Sequence, residues 1–174
     1  MINTALNKAD ILYLLTQQEK LDTAMREQLE ISEEAWADMN TDHNIALNVE
    51  LHEFINACHK AWKYWKRKDM NRADVLDEAI DVIHFCMLMF NKSHLDTQTL
   101  ASTIASAMDF LNPLNDRMEV KLLMADLSIH GYTVLNKFGS ILKILDYYGF
   151  TTLDILSAYN KKNNVNFERL NNGY

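Results

Sequence analysis

Two pairs of acids stand where acidic side chains are costly. Glu50 and Glu53 are three residues apart, and so are Glu78 and Asp81. On a helix, residues at that spacing share a face. Glu50 falls three residues after Leu47 and four before Phe54, so it sits inside an apolar stripe rather than opposite it. Glu78 stands in the same relation to Val75 and Val82. Ionised carboxylates are rarely buried unless paired or bound to a metal, and several facing one another repel. A hard divalent cation such as Mg²⁺ resolves that conflict, because it takes oxygen ligands from a few carboxylates and from substrate phosphates. It also suits metal-assisted hydrolysis, in which a bound water is activated and the leaving oxygen steadied. One Glu-x-x-Glu is common on solvated helices. Its repetition on consecutive helical segments, each time within an apolar stripe, is what points to a metal site.

Cations follow the first acid pair. Lys60, Lys63, Lys66, Arg67, Lys68 and Arg72 crowd one stretch. On a continuous helix, Lys63 lies about 15 Å along the axis from Glu53. The cations complement a helix C-terminus, and they also suit the phosphates of a nucleotide. A second basic group lies near the end of the sequence. Lys162, Asn166 and Arg169 recur at i, i+4 and i+7, so one helical face presents them together, with the arginine fork suited to phosphate oxygens. His84, one turn beyond Asp81, could steady a metal ligand. The other five histidines show no ligand spacing, and Trp36 reads as core.

The elements that must carry these groups are helices. Only four glycines and one proline interrupt 174 residues, so turns are few. Apolar periodicity predicts helices over 6–30, capped by Asn3 or Asn7, and over 44–67 and 71–91. A further helix is expected over 97–111, capped by Asp96, with another started by Pro113. Gly131 and Gly149 read as helix stops, and Thr151 with Asp154 as a capping box opening 152–169. No stretch alternates strictly, and no repeat or linker is visible. The expected fold is an all-α helical bundle in a single domain, 1–174. Apolar residues make up 48% of the chain, enough for a sizeable core. A net charge of −7 argues against nucleic acid as a partner. No apolar run reaches about 18 residues, and no secretory pattern opens the chain, so neither a membrane span nor secretion is expected. Cys58 and Cys86 lie in apolar helical patterns and read as buried thiols, which suits a reducing cytoplasm.

Taken together, these residues resemble the dimeric, all-α dUTP diphosphatase (dUTPase) family, within the MazG-like superfamily of nucleotide pyrophosphohydrolases. Glu50-Leu-His-Glu53 and Glu78-Ala-Ile-Asp81, with 24 residues between, fit its Glu-x-x-Glu and Glu-x-x-Asp signature. Trp62-Lys-Tyr-Trp65-Lys resembles its aromatic-Lys-x-Trp segment, and Asp77 to Phe85 its second acid segment through His-Phe. Lys162-Asn-Asn-Val-Asn166-Phe-Glu-Arg169, with the terminal Gly173-Tyr174, matches its C-terminal pattern, and Gln18-Glu-Lys-Leu21 its Gln-x-x-Leu element. The resemblance implies a Mg²⁺-dependent homodimer that converts dUTP to dUMP and pyrophosphate. Glu50, Glu53, Glu78 and Asp81 would bind the metal, with Glu50 or Glu53 activating water. Lys162, Asn166 and Arg169, with Lys63 or Lys66, would hold phosphates. Gln18 would touch the base, and Trp65 would help to form the pocket. The segment 31–43 does not align with the family, and Asp77 and Ala79 depart from its usual residues. Base identity is therefore the less determined half of the reading, and a pyrophosphohydrolase acting on dCTP or several nucleotides stays open. So does a non-enzymatic helical interaction protein. A di-iron site is disfavoured, because Asp81-x-x-His84 has no second counterpart.

Overall fold

In the computed structural model, which describes residues 1–93, 95–129 and 131–173, the described residues form eight α-helices and no strand. These are α1 (Lys8–Gln28), α2 (Glu33–Asp38), α3 (Asn40–Ala57), α4 (Arg72–Asn91), α5 (Thr97–Met108), α6 (Arg117–Leu127), α7 (Val134–Tyr147) and α8 (Thr152–Asn171). The all-α expectation holds. His94, His130 and Tyr174 lie outside the described residues.

Local chemistry sets the helix starts. Asn7 and Asp10 form a reciprocal capping box on α1, and Thr151 and Asp154 form another on α8. Asp96, Asp116 and Thr133 cap α5, α6 and α7. Gly149 ends α7 at φ +75°. The Gly149 N–H donates to the Asp146 carbonyl (2.8 Å) and the Phe150 N–H to the Leu145 carbonyl (3.1 Å), the paired bonds of a glycine-stopped helix. Gly131 lies beyond the end of α6 and does not stop it. Pro113 starts no helix; α6 begins four residues later, where the Asp116 side chain accepts from the N–H groups of Met118 and Glu119.

The largest departure concerns the helix expected over 44–67. It begins earlier, at Asn40, and ends at Ala57. A 3₁₀ turn follows at His59–Ala61, and the chain then runs without regular helix to Asn71. The apolar period outlasts the helix because a 3₁₀ turn also repeats every three residues. The Trp62 indole N–H donates to the Ile55 carbonyl at 2.9 Å, satisfying an acceptor that the ended helix leaves free.

The central element is α4, which packs against α1, α3, α7 and α8. Its buried residues run almost continuously from Ala79 to Phe90, among them Ile80, Ile83, Cys86 and Met87. They meet Leu47, Leu51 and Phe54 of α3, Phe138 and Ile141 of α7, and Tyr159 of α8 within one apolar core. The start of α8 is tied to residues far away in sequence. Thr152 donates through its N–H to the Asn3 carbonyl (3.0 Å) and through its hydroxyl to the carbonyls of Asn3 and Ala5. The Asn3 N–H donates to Asp146, and the Thr4 hydroxyl to the Leu142 carbonyl. No described helix is long and apolar enough to cross a membrane.

Candidate active site

The close packing of α3 on α4 turns both acid pairs into one cleft. Glu50, Glu78 and Asp81 each offer a carboxylate oxygen, and these oxygens lie within 4.8 Å of one another. All three side chains are partly buried. Glu53 lies outside this tight set and is exposed, but it lines the same cavity of about 450 Å³. Burial, then the charges of Asp81, Glu53 and Glu78, push the Glu50 carboxyl up to about 7. Burial and neighbouring acids also raise Glu78. Asp81 is raised by burial although Lys162 opposes the shift. Three partly buried carboxylates that resist ionising together form a donor set of oxygens alone, which fits a hard divalent cation such as Mg²⁺.

The cations of α8 reach the cleft. Lys162 donates to Asp81 at 2.6 Å and to Asp77 at 3.2 Å. Burial works against its charge, but hydrogen bonds and charge from Asp81 and Asp77 outweigh that and raise its pKa. Asn166 and Arg169 line the same cavity, as expected from their shared helical face.

Three of the sequence candidates lie elsewhere. Because α3 ends at Ala57, Lys63 is not carried along its axis. Its ammonium bonds the Asn56 side chain and sits 4.9 Å from the centre of the Trp62 ring. Trp65 is 59% exposed and meets Trp62 and Tyr64 edge to face. Neither residue lines the cavity. Lys66 lines a neighbouring cavity of about 310 Å³ that shares Glu53 and Glu78 with the first.

Gln18 does line the acid-bearing cavity, within a polar network. Its carbonyl oxygen accepts from His84 Nδ1 (2.7 Å) and from the Tyr159 hydroxyl (3.0 Å), and its amide nitrogen donates to Asp22 (2.7 Å). His84 stacks on Tyr159 with ring centroids 4.1 Å apart. Burial, followed by the Lys162 charge, drives His84 down to about 3, so it is neutral; because the Gln18 amide nitrogen is turned to Asp22, the Gln18 oxygen faces His84 Nδ1, which then carries the proton. His84 thus orients Gln18 and bonds none of the acids. Asp22 is 3% exposed, and burial pushes its carboxyl up to about 7. Trp36 is buried, and it also lines the cavity, with Arg26 and Lys92 each placing a cation near its ring.

Asp22, Phe85 and His43 also line the cavity, and sequence reasoning had not singled them out as site residues. A signal for Asp22 existed: it continues the buried stripe Ile11, Leu14, Leu15, Gln18 and Leu21 of α1. His43 carries the same mark, standing four residues before Leu47 in the buried stripe of α3, whereas Phe85 carries none. An adjoining cavity of about 750 Å³ shares Asp22, Trp36 and Leu88 but is lined by none of the four acids.

No curated protein matches the chain. A family model described as dUTPase matches residues 10–174, which takes in every side chain of the acid cleft and every cation that reaches it. With that match over an all-helical fold, the chain belongs to the all-helical dUTPase family, hydrolases acting on dUTP.

Proposed function

We propose that this protein is a Mg²⁺-dependent dUTP diphosphatase of the MazG-like superfamily, releasing dUMP and pyrophosphate. The observation that carries the reading is the convergence of Glu50, Glu78 and Asp81 oxygens within 4.8 Å beside Lys162. Glu50, Glu78 and Asp81, with Glu53 at the rim, would hold the metal. When bound, Mg²⁺ supplies charge neutralisation for the triphosphate and lowers the pKa of a water.

The residues of the chain do the rest. Glu50 takes the proton of the attacking water, from its place among the acids of the cleft. Glu53, exposed at the rim, is the alternative base. Water adds to phosphorus, the bond to a bridging oxygen breaks, and pyrophosphate leaves. Lys162, Asn166 and Arg169 grip the phosphates, with Lys66 reaching them from the adjoining cavity. Such a layout works by positioning and charge stabilisation and needs no covalent nucleophile. Gln18 meets the base. From Glu78 to Leu88, α4 runs about 15 Å along the cavity wall, which leaves room for the nucleoside beyond the phosphates. We further propose a cytoplasmic, homodimeric protein organised as one domain.

The test is pyrophosphate release from dUTP, dCTP, dTTP and UTP, with Mg²⁺ and with EDTA. Mg²⁺-dependent release, fastest from dUTP, is expected. Glu50→Gln and Asp81→Asn should each lower it by roughly 10²–10³-fold or more while keeping the helical circular-dichroism spectrum. Near wild-type turnover in either variant would refute the assignment. Faster release from dCTP would keep the metal site and overturn the base.

A further inference from the structure

We infer that Asp22 is a specificity-determining residue that accepts the N3–H of uracil, with Gln18 donating beside it to a flanking carbonyl oxygen. The inference rests on the reading that a deoxyuridine nucleotide occupies the acid-bearing cavity. It follows from counting the hydrogen-bonding capacity left unused at that end of the cavity.

The Gln18 carbonyl oxygen is committed to two donors, His84 Nδ1 and the Tyr159 hydroxyl. One amide hydrogen is committed to Asp22 Oδ1. Its orientation follows from Asp22, which as a carboxylate only accepts and so takes an amide N–H, leaving the Gln18 oxygen to face His84 and Tyr159. One amide N–H remains for a ligand. Asp22 has one oxygen held by Gln18, and its second oxygen has no hydrogen-bond partner among the described residues. Both side chains are nearly sealed from solvent, at 3% exposure each, and both line the cavity. That second oxygen is open to the cavity, where a ligand donor can reach it.

The cavity wall thus presents a donor next to an acceptor. The pyrimidine edge of a deoxyuridine nucleotide presents a carbonyl next to an N–H. N3 carries the single N–H of the uracil ring, since N1 bears the sugar. A carboxylate meeting that ring edge must take N3–H. Arg26 and Lys92, the cations whose charges reach Asp22, and Glu19, the neighbouring acid, do not bond it. Arg26 is engaged by Glu19 and Glu33, and Lys92 by the Trp36 carbonyl and His43.

Asp22→Asn makes the argument testable because it keeps shape and reverses one contact. The locked Gln18 N–H demands the Asn oxygen, so the Asn NH₂ faces the base, opposing uracil N3–H and welcoming the bare N3 of cytosine. With Tm confirming a folded protein, KM for dUTP should rise at least about tenfold, the loss expected of an unmatched buried donor, with kcat far less affected. The preference for dUTP over dCTP should fall by a similar factor. Wild-type protein should bind dUMP at least about tenfold more tightly than N3-methyl-dUMP. In Asp22→Ala, which removes the acceptor and opens space for the methyl, that preference should vanish. A purely structural aspartate would not produce this exchange. Unchanged KM and dUTP/dCTP ratio in Asp22→Asn, or equal binding of the two monophosphates by wild type, would overturn the inference. Should wild type release no pyrophosphate from dUTP, the hydrolytic reading fails, while the monophosphate comparison still decides the role of Asp22.

Discussion

Glu50 and Asp22 are carboxyls in the same cavity, both pushed up to about 7, and for different reasons. Burial leads in both. Glu50 is then opposed by three other acids and eased only by Lys162, whereas Asp22 is eased by the Gln18 hydrogen bond, Arg26 and Lys92 against a single acid, Glu19. The first pattern is relieved by a multivalent cation, the second by a single hydrogen-bond donor. This difference assigns metal to one and base to the other within the proposed function. It also fixes a pH dependence. A proton held by Glu50 must leave before a metal can use that oxygen. Apparent Mg²⁺ affinity should therefore climb between about pH 6 and pH 8, with protons released on binding. Calorimetry in two buffers of different ionisation enthalpy measures the release directly. In Glu50→Gln the dependence should flatten; the same slope in that variant would show that another group titrates.

At the scale of elements, the site is a problem of docking α8 onto α3 and α4. The acids come from two helices adjacent in sequence and packed together, while the cations arrive on a third from far along the chain. The Thr151–Asp154 capping box sets where α8 begins and hence the register of Lys162, Asn166 and Arg169. Thr151→Ala should cost about 1 kcal/mol, seen as a fall in melting temperature of roughly 2–4 °C. Turnover per folded molecule at 25 °C should stay close to wild type. The sequence was informative about this layer because capping and apolar period are local. Glu50, Glu78 and Asp81 could be grouped from their places in two stripes, and Lys162, Asn166 and Arg169 from one. The end of α3 was not legible, since the 3₁₀ turn preserves the period that marks a helix. That boundary is what took Lys63 off the axis of α3; Trp65 was expected in the pocket from the resemblance alone. The partners of Asp22 and His84 were hidden for another reason. Gln18 and His84 are 66 residues apart, and no local pattern records a contact at that separation.

For the whole molecule, the faces that remain apolar bear on assembly. Ile45 and Val49 stand one turn apart on the outer side of α3 and are 58% and 49% exposed. The same helix turns Leu47, Leu51 and Phe54 inward. An exposed apolar strip on the helix that carries two of the acids supports the proposed homodimer. Light scattering should give the mass of two chains. Val49→Glu should shift it toward one chain while leaving helix content unchanged; a wild-type mass of one chain would remove the dimer from the proposal.

The clasp between residues 3–5 and the start of α8 has a consequence in time. Its hydrogen bonds join groups 147 to 149 residues apart, so it closes a very long loop. Contacts of such separation form late, because their loop entropy is spent before they return any stabilisation. The α3–α4 hairpin, by contrast, is short-range and can assemble early. An immature molecule would then hold its acids together before Lys162 docks beside Asp81. During that interval the acids lack the Lys162 charge that favours their ionised forms, so they hold their protons more tightly, and the docking of α8 is then coupled to proton release.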